Sequence, residues 1–167
     1  RGEAGIDAID PADAAPLREA EQRAGAAVLG VDVVEFLDYP DGVIEYSIAL
    51  RRDIAEAIRR HRPDTVLLFN HRENWGPGAR NSADHQAVGR AALDAIADAG
   101  NRWIFPGTEP HSVKRAFVAG SPESTHAIDV SAGVDLAVAS LSEHRAYLEG
   151  LGEHREENRC QNGNNGD

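Results

Sequence analysis

One short run of this sequence carries residue types suited to acid–base or metal chemistry. The run extends from Asn81 to Gly89 and contains the dipeptide Asp84-His85. An imidazole beside a carboxylate is the usual composition of a metal ligand with its orienting partner, or of an acid–base pair. The dipeptide alone is a weak signal, because a histidine can also cap or solvate the start of a helix. His85 is therefore a candidate ligand, with a helix-start histidine as the alternative.

The residues around this run predict where His85 lies in a fold. Residues 65–69 (TVLLF) are a short apolar run after Arg62-Pro63-Asp64, which predicts a buried strand. Residues 70–80 are polar or Gly/Pro, and the apolar spacing of residues 88–99 then predicts a helix that His85 opens. In parallel α/β sheets, ligands bind outside the carboxyl ends of the strands. We therefore expect His85 to lie near the carboxyl end of the 65–69 strand, where a ligand would bind.

The remaining pattern alternates between strands and helices. It predicts helices from Pro11 or Pro16 to Leu29, over 45–61 and over 133–150, with Gly30 as a C-cap. Further strands are predicted over 31–37, 102–105, 113–119 and 127–130, and a turn over 38–42. Alternating β and α units imply a parallel sheet covered on both faces. The predicted fold class is α/β, a Rossmann-like three-layer αβα domain.

Composition limits the class of protein. The 167 residues suit one domain, predicted over 1–151, with a polar, Asn/Gly-rich and disordered tail over 152–167. The 28 acidic against 17 basic residues give a net charge of −11, which argues against a nucleic-acid partner. No apolar stretch is long enough for a membrane span. Cys160 is the single cysteine, so an internal disulfide is excluded, and a cytoplasmic location is expected.

Several segments, taken in order, resemble the LmbE-like (PIG-L) family of zinc-dependent N-deacetylases. The matching segments are RGEAG at residues 1–5, LREAEQRAGAAVLGV at 17–31, FLDYPDG at 36–42, LRRDIAEAIRRHRPDTVLLF at 50–69, the Asp84-His85 run, HAIDVS at 126–131 and SLSEHRAYL at 140–148. The family's signature loop, Ala-His-Pro-Asp-Asp-Glu, is absent. We therefore expect this chain to start after the first βα units of the family domain.

The resemblance implies a function. It implies removal of an N-acetyl group from an N-acetylglucosamine-type substrate, a small amino-sugar conjugate, with Zn²⁺ as cofactor. His85 matches the third zinc ligand, and the other two ligands and the general base would lie in the absent loop. The alternatives are a sugar-binding module without catalysis, or an inactive fragment of such an enzyme. Because one imidazole cannot hold a catalytic zinc, the 167-residue chain itself is expected to be inactive.

Two residues beside His85 are catalytic candidates. Asp84 either orients the imidazole or stabilises a helix N-terminus, where a carboxylate is favourable. Ser82 occupies the position at which the family often places a histidine that stabilises the oxyanion. Either the Ser82 hydroxyl replaces it, or a residue of the preceding loop does, namely His71, Asn74 or Arg80.

Three residues nearer the N-terminus resemble substrate-binding residues of the family. Arg18 lies in the segment that matches an Arg-x-x-Glu stretch, Asp41 lies in the turn after the next predicted strand, and Glu3 lies in the first segment. A guanidinium and carboxylates suit a hydroxyl-rich sugar. The alternative for Arg18 is a surface salt bridge with Glu21, which would contribute little to stability.

Two aromatic side chains outside these sets have open interpretations. His144 is predicted to lie on the apolar face of the last helix as a structural histidine, with a pocket role as the alternative. Trp75 either stacks on a sugar ring or anchors its loop.

Overall fold

The computed structural model describes residues 1–151, which form two compact units. The first unit comprises Arg1–Asp41 and the residues from Ile128 onward, and the second comprises Gly42–Ala127. The predicted tail over 152–167 lies outside the described residues. No helix within the described part of the chain is both long and apolar enough to cross a membrane.

The first unit is helical. A 3₁₀ turn, Glu3–Gly5, precedes helix α1 (Pro11–Val28). Helix α4 (Val134–Ser142) follows a second 3₁₀ turn, and residues 145–151 are helical again. The Asp10 carboxylate accepts the Ala12 N–H and fixes the start of α1 at Pro11, with Pro16 inside the helix. The predicted helix over 133–150 is thus present in two pieces, interrupted at 143–144.

The second unit packs helices α2 (Ile48–His61) and α3 (Ala83–Gly100) beside a small parallel sheet. Their contact is built on small side chains, since Ala55, Ala95 and Ala99 are fully buried around Ile58. Alanines at such a contact let two helices approach closely and bury apolar surface with little loss of side-chain entropy. Both helices agree with the predicted segments, and Ser47 caps α2 by accepting the Leu50 N–H.

The parallel sheet pairs strand β1 (Thr65–Phe69) with strand β4 (Arg115–Ala119), in the register Thr65↔Arg115 to Phe69↔Ala119. Helix α3 lies between these strands in the chain, as a parallel connection requires. A short antiparallel hairpin, β2 (Asn74–Gly76) and β3 (Ala79–Arg80), occupies the loop between β1 and α3. Both β1 and the core of the 113–119 strand were predicted. This arrangement of helices and a parallel sheet is an α/β fold.

Three predicted strands are wrong. Residues 31–37 pair with no strand among the described residues, and Val31 and Val33 remain exposed. Residues 127–130 are also unpaired, because the Asp129 carboxylate accepts the Ser131 N–H and hydroxyl and starts a turn. Residues 102–105 form tight turns in which Phe105 has a φ of 49°.

The turns over 102–105 follow from the guanidinium of Arg59, which is 4% exposed. It donates to backbone carbonyls that converge on it, those of Asp98, Ala99, Asn101, Ile104 and Phe105. Successive carbonyls of a strand point to opposite sides, so a segment whose carbonyls gather around one cation cannot be extended.

Candidate functional site

Helix α3 starts where the sequence places the candidate chemistry. Ser82 is its N-cap, and the Ser82 hydroxyl oxygen accepts the His85 N–H at 3.1 Å. The acceptor side chain satisfies one of the N–H groups that the first turn leaves without a helical partner. The structure therefore places Ser82 at the helix start, and its role towards an oxyanion stays a prediction.

The imidazole of His85 is half-buried between two aromatic rings. Its centroid lies 5.0 Å from that of Phe69, the last residue of β1, and 5.8 Å from that of Trp75 in β2. Phe69 and Trp75 also meet edge to face at 5.9 Å. These contacts limit the directions in which the ring can turn. The position of the His85 ring is therefore set jointly by the end of β1, the hairpin and the start of α3.

Trp75 is itself wedged against backbone. A methyl group added at Gly120, just after β4, would lie 2.5 Å from Cζ3 of Trp75. The indole therefore uses the space that the missing side chain leaves, at a residue whose φ is 69°. Of the two interpretations of Trp75, this geometry favours the loop anchor.

A hydrogen bond fixes the state of the His85 ring. Nδ1 lies 3.0 Å from Oδ1 of Asn81, an oxygen that also accepts the Ser82 N–H. Because an amide oxygen can only accept, Nδ1 must carry the proton and donate it. The neutral ring then has its lone pair on Nε2, one of the two ring nitrogens through which a neutral histidine can bind zinc.

Of these residues, His85 is therefore suited to bind a zinc ion. His85 presents an unprotonated nitrogen, oriented through its other nitrogen, at the carboxyl end of a parallel strand. Within residues 1–151 there is no group of three or more His, Cys, Asp or Glu side chains placed to hold a metal. Residues 1–151 thus do not provide the three protein ligands that a catalytic zinc ion takes.

Asp84, the carboxylate beside His85, binds backbone. Its two oxygens accept the Gly42 N–H at 2.7 Å and the Ile44 N–H at 3.1 Å. It also lies in the first turn of α3, where the helix dipole favours a negative charge. The geometry therefore places Asp84 as a link between α3 and the segment before α2, and its catalytic role stays a prediction.

His71 of the preceding loop packs against Gly89 of α3. A methyl group at Gly89, one turn after His85, would lie 2.8 Å from Cβ of His71, so only glycine allows this approach. His85 and Gly89 stand four positions apart on α3 and therefore share one face of the helix. His71 packs against that face. Nδ1 of His71 is buried and has no hydrogen-bond partner within residues 1–151. Asn74 and Arg80, the other loop alternatives, have exposed side chains.

Arg18, in the first unit, lies among helical side chains of the same unit. It donates to Glu21 at 2.8 Å, its Nη1 lies 3.4 Å from Nδ1 of His144, and its guanidinium stacks over the Tyr147 ring at 4.3 Å. The salt bridge with Glu21 is present, but it is buried, since Glu21 is 7% exposed. Nε of Arg18 is buried and has no hydrogen-bond partner within residues 1–151.

Glu3 and Asp41, the other two substrate-binding candidates, lie side by side. Glu3 accepts the Asp41 N–H at 3.0 Å, and Asp41 accepts the Ala4 N–H at 3.1 Å. Burial raises the pKa of the Glu3 carboxyl. Hydrogen bonds from backbone N–H groups and the charge of the Arg1 ammonium lower it by more than burial raises it. The pKa of Glu3 therefore lies below its usual value. The structure brings these two carboxylates together, and their role in substrate binding stays a prediction.

Sequence reasoning missed Asn81 and Asn70. Both amides are buried, with Asn70 0% and Asn81 3% exposed, and buried asparagines are uncommon unless their hydrogen bonds are satisfied. No helical periodicity pointed to Asn81, because it precedes the N-cap Ser82 and lies outside helix α3.

Comparison with known proteins identifies the family. The family model PIG-L, described as GlcNAc-PI de-N-acetylase, matches residues 1–96, more than half of the chain. The chain is 26% identical over 133 residues to a diacetylchitobiose deacetylase from Thermococcus kodakarensis, covering 77% of this chain and 48% of that protein. The structure is similar to that of a conserved protein from Thermus thermophilus, with a TM-score of 0.67 and 29% identity.

The structural match covers 88% of this chain and 66% of the Thermus chain, so the chain spans about half the length of the Thermococcus deacetylase and about two thirds of the Thermus protein. The matched residues 1–96 include Arg18, Asp41 and the Asp84-His85 run, whereas the predicted segments at 126–131 and 140–148 lie outside this match. The chain therefore belongs to the PIG-L family of GlcNAc-PI de-N-acetylases.

Proposed function

We propose that this chain is part of a zinc-dependent deacetylase that removes the acetyl group from an N-acetylglucosamine-type conjugate. The observation that carries the proposal is the state of His85, whose Nδ1 is bound by Asn81 and whose Nε2 is left for a metal. Membership of the PIG-L family and similarity to a diacetylchitobiose deacetylase support the reaction and the substrate class.

The reaction is the hydrolysis of an amide. A water oxygen bonds to the acetyl carbon, the C–N bond breaks, and the nitrogen takes a proton and leaves as an amine, with acetate as the second product. A zinc ion held there would polarise the amide carbonyl and lower the pKa of a bound water towards about 7. His85 would hold the metal, and the aromatic rings of Phe69 and Trp75 keep its imidazole from turning away.

The other predicted residues also have roles in the proposal. Arg18, Asp41 and Glu3 bind hydroxyl groups of the sugar, for which a guanidinium and two carboxylates are suited. Ser82 donates its hydroxyl proton towards the developing oxyanion, since its hydroxyl oxygen accepts the His85 N–H and no described hydrogen bond uses its proton. Asp84 acts by holding the segment around Gly42 and Ile44 at the start of α3.

We also propose that the β1–β4 pair belongs to a Rossmann-like three-layer sheet. The parallel pairing through helix α3 and the similarity to the Thermus protein support this fold. The cytoplasmic location and the lack of a nucleic-acid partner stay predictions from the sequence.

A sugar-binding module without catalysis is the second candidate function. It is favoured by the lack of a group of three or more metal-ligand side chains within residues 1–151. This candidate predicts that the amino sugar binds without zinc and that no acetate is released.

One experiment separates the two functions. Zinc content and acetate release from N-acetylglucosamine derivatives would be measured for the protein made from its complete gene, and for His85→Ala. His126→Ala is the matched control, because His126 is an exposed histidine of the same unit. We expect His85→Ala to lose zinc and activity together and His126→Ala to keep both. Unchanged zinc content in His85→Ala would refute the proposed metal site.

A further inference from the structure

We infer that Asn81 is a positioning residue for His85, fixing both the orientation and the tautomer of its imidazole. The link to metal binding rests on the proposed function, whereas the tautomer itself does not. The inference starts from the hydrogen bonds of one buried side chain, and each of its polar atoms is accounted for in the structure.

The orientation of the Asn81 amide is unambiguous. Its Nδ2 donates to the backbone carbonyls of Asn70 at 2.7 Å and Arg72 at 3.0 Å, and its Oδ1 accepts the Ser82 N–H at 2.9 Å. A flipped amide would point its oxygen at two carbonyls and its NH₂ at an N–H. Such a flip would lose all three hydrogen bonds, so Oδ1 must be the atom that faces His85.

The state of His85 follows from this orientation. An imidazole that meets a fixed acceptor at 3.0 Å from Nδ1 forms a hydrogen bond only if Nδ1 carries the proton. In water a neutral histidine is free to exchange between its two tautomers. Asn81 therefore selects the tautomer whose Nε2 can bind a metal and disfavours the other.

The structure also shows why Asn81 can serve as a rigid acceptor. Asn81 donates its own N–H to the Glu73 carbonyl at 2.7 Å, and its carbonyl accepts Nε2 of Gln86 at 3.1 Å. The neighbouring Asn70 is fully buried and binds the Asn74 carbonyl and the Arg72 N–H. Because the loop and the helix start both hold Asn81, its oxygen has little freedom to follow a turning imidazole.

The test is a spectroscopic one on metal-free protein. Long-range ¹H–¹⁵N spectra of protein labelled in histidine distinguish a protonated Nδ1 from a protonated Nε2, at a pH where the ring is neutral. We expect wild-type His85 to be protonated on Nδ1. A wild-type ring protonated mainly on Nε2 would overturn the inference, and this measurement needs no variant to fold.

Variants then separate positioning from general support of the fold. Asn81→Asp keeps an acceptor oxygen near Nδ1, whereas Asn81→Ala removes it. Gln86→Ala is the matched control, because it deletes a hydrogen bond to the Asn81 backbone and leaves the side-chain acceptor in place. We expect the Nε2-protonated form to appear in Asn81→Ala only. Its appearance to the same extent in Gln86→Ala would mean that Asn81 acts merely through the fold.

Zinc affinity gives the functional consequence, measured by competition with a chelator. Loss of a residue that orients a metal-bound histidine lowers metal affinity by about 10- to 100-fold. We expect a loss of this size in Asn81→Ala and recovery of much of it in Asn81→Asp. If the tautomer depends on Asn81 while His85→Ala keeps its zinc, the positioning inference holds and the proposed metal site fails.

Discussion

Glu3 and Asp41 hold each other's segment, since the Glu3 carboxylate accepts the Asp41 N–H and the Asp41 carboxylate accepts the Ala4 N–H. Each carboxylate thus fixes the backbone that presents the other. The other Glu3 oxygen, Oε2, is buried and lies 3.6 Å from the Arg1 ammonium. This pairing gives two acidic side chains a defined position before any substrate binds.

The lowered pKa of Glu3 predicts a dependence of stability on pH. A carboxylate whose pKa is lower in the folded state than in the unfolded state stabilises the fold above the unfolded value, about 4.3. That contribution is lost as the pH falls through the folded pKa. We therefore expect Glu3→Gln to lower the urea midpoint at pH 7 by more than at pH 3. An equal loss at both values would contradict the assigned role of the charged form.

Gly89 and His71 give a prediction for packing near the site. Gly89→Ala would normally favour a helix by about 1 kcal/mol. Here its methyl group would meet Cβ of His71 at 2.8 Å and the Phe69 carbonyl oxygen at 3.0 Å. Overpacking of this kind costs about 1–3 kcal/mol, so we expect a net loss of unfolding free energy in urea titrations.

Gly100→Ala is the matched control for Gly89→Ala. It adds the same methyl group near the end of the same helix, where the nearest atom, Oγ of Ser112, lies at an ordinary 3.4 Å. We expect Gly100→Ala to be neutral or stabilising. Equal effects of the two substitutions would show that the close approach of His71 does not limit position 89.

Gly120 controls the position of Trp75. In Gly120→Ala the methyl group would overlap the indole, so we expect Trp75 to shift, its fluorescence to change and zinc affinity to fall. The backbone strain of alanine at positive φ must be separated from this overlap. Gly30→Ala supplies the control, because Gly30 has a similar φ of 72° and no atom within 4 Å of its added methyl group. If the fluorescence changed as much in Gly30→Ala as in Gly120→Ala, backbone strain alone would explain the effect, without overlap of the methyl group with Trp75.

Arg59 carries a prediction for the fold. Its buried guanidinium binds five carbonyls, and hydrogen bonds to a charged group contribute about 1.5–3 kcal/mol each, although not additively. We expect Arg59→Lys to lower the unfolding free energy by more than about 3 kcal/mol, because an ammonium cannot reach all of these acceptors. Arg52 is an exposed arginine that lies over the Phe105 ring, and Arg52→Lys should change the unfolding free energy little. Comparable losses in both variants would contradict this account.

The elements whose local signals agree with their packing were predictable. Helices α1, α2 and α3 carry apolar spacing and side-chain caps at Asp10, Ser47 and Ser82, which act within a few residues of the helix start. Strand β1 was predictable from its apolar run. The segment 102–105 was not, because its path depends on Arg59, which is distant from it in the chain.

The candidate site divides in the same way. The place of His85 at the start of α3 follows from local sequence, whereas Asn81 precedes the helix cap and carries no periodic signal. The tautomer of His85 was not predictable, since it depends on how the loop carbonyls of Asn70 and Arg72 fix the Asn81 amide. Similarly, Asp84 binds Gly42 and Ile44, residues far away in the chain that no periodicity connects to it.

The last prediction concerns Arg18, whose charge has a structural use and whose shape has a proposed one. Arg18→Lys retains a cation for Glu21, and Glu21 also keeps the hydrogen bond from the Ala146 N–H, so the fold should survive. The lysine lacks the planar fork that suits vicinal hydroxyl groups. A group that binds ground state and transition state alike affects KM and leaves kcat unchanged. We therefore expect Arg18→Lys to raise KM for the amino sugar by about tenfold, which corresponds to a loss of about 1.4 kcal/mol of binding free energy. Zinc content and kcat should be preserved.

Arg23→Lys, which alters an exposed arginine of the same helix, is the control and should keep the wild-type KM. A wild-type KM in Arg18→Lys, or a loss of kcat with KM unchanged, would remove Arg18 from the substrate site and leave it as the partner of Glu21.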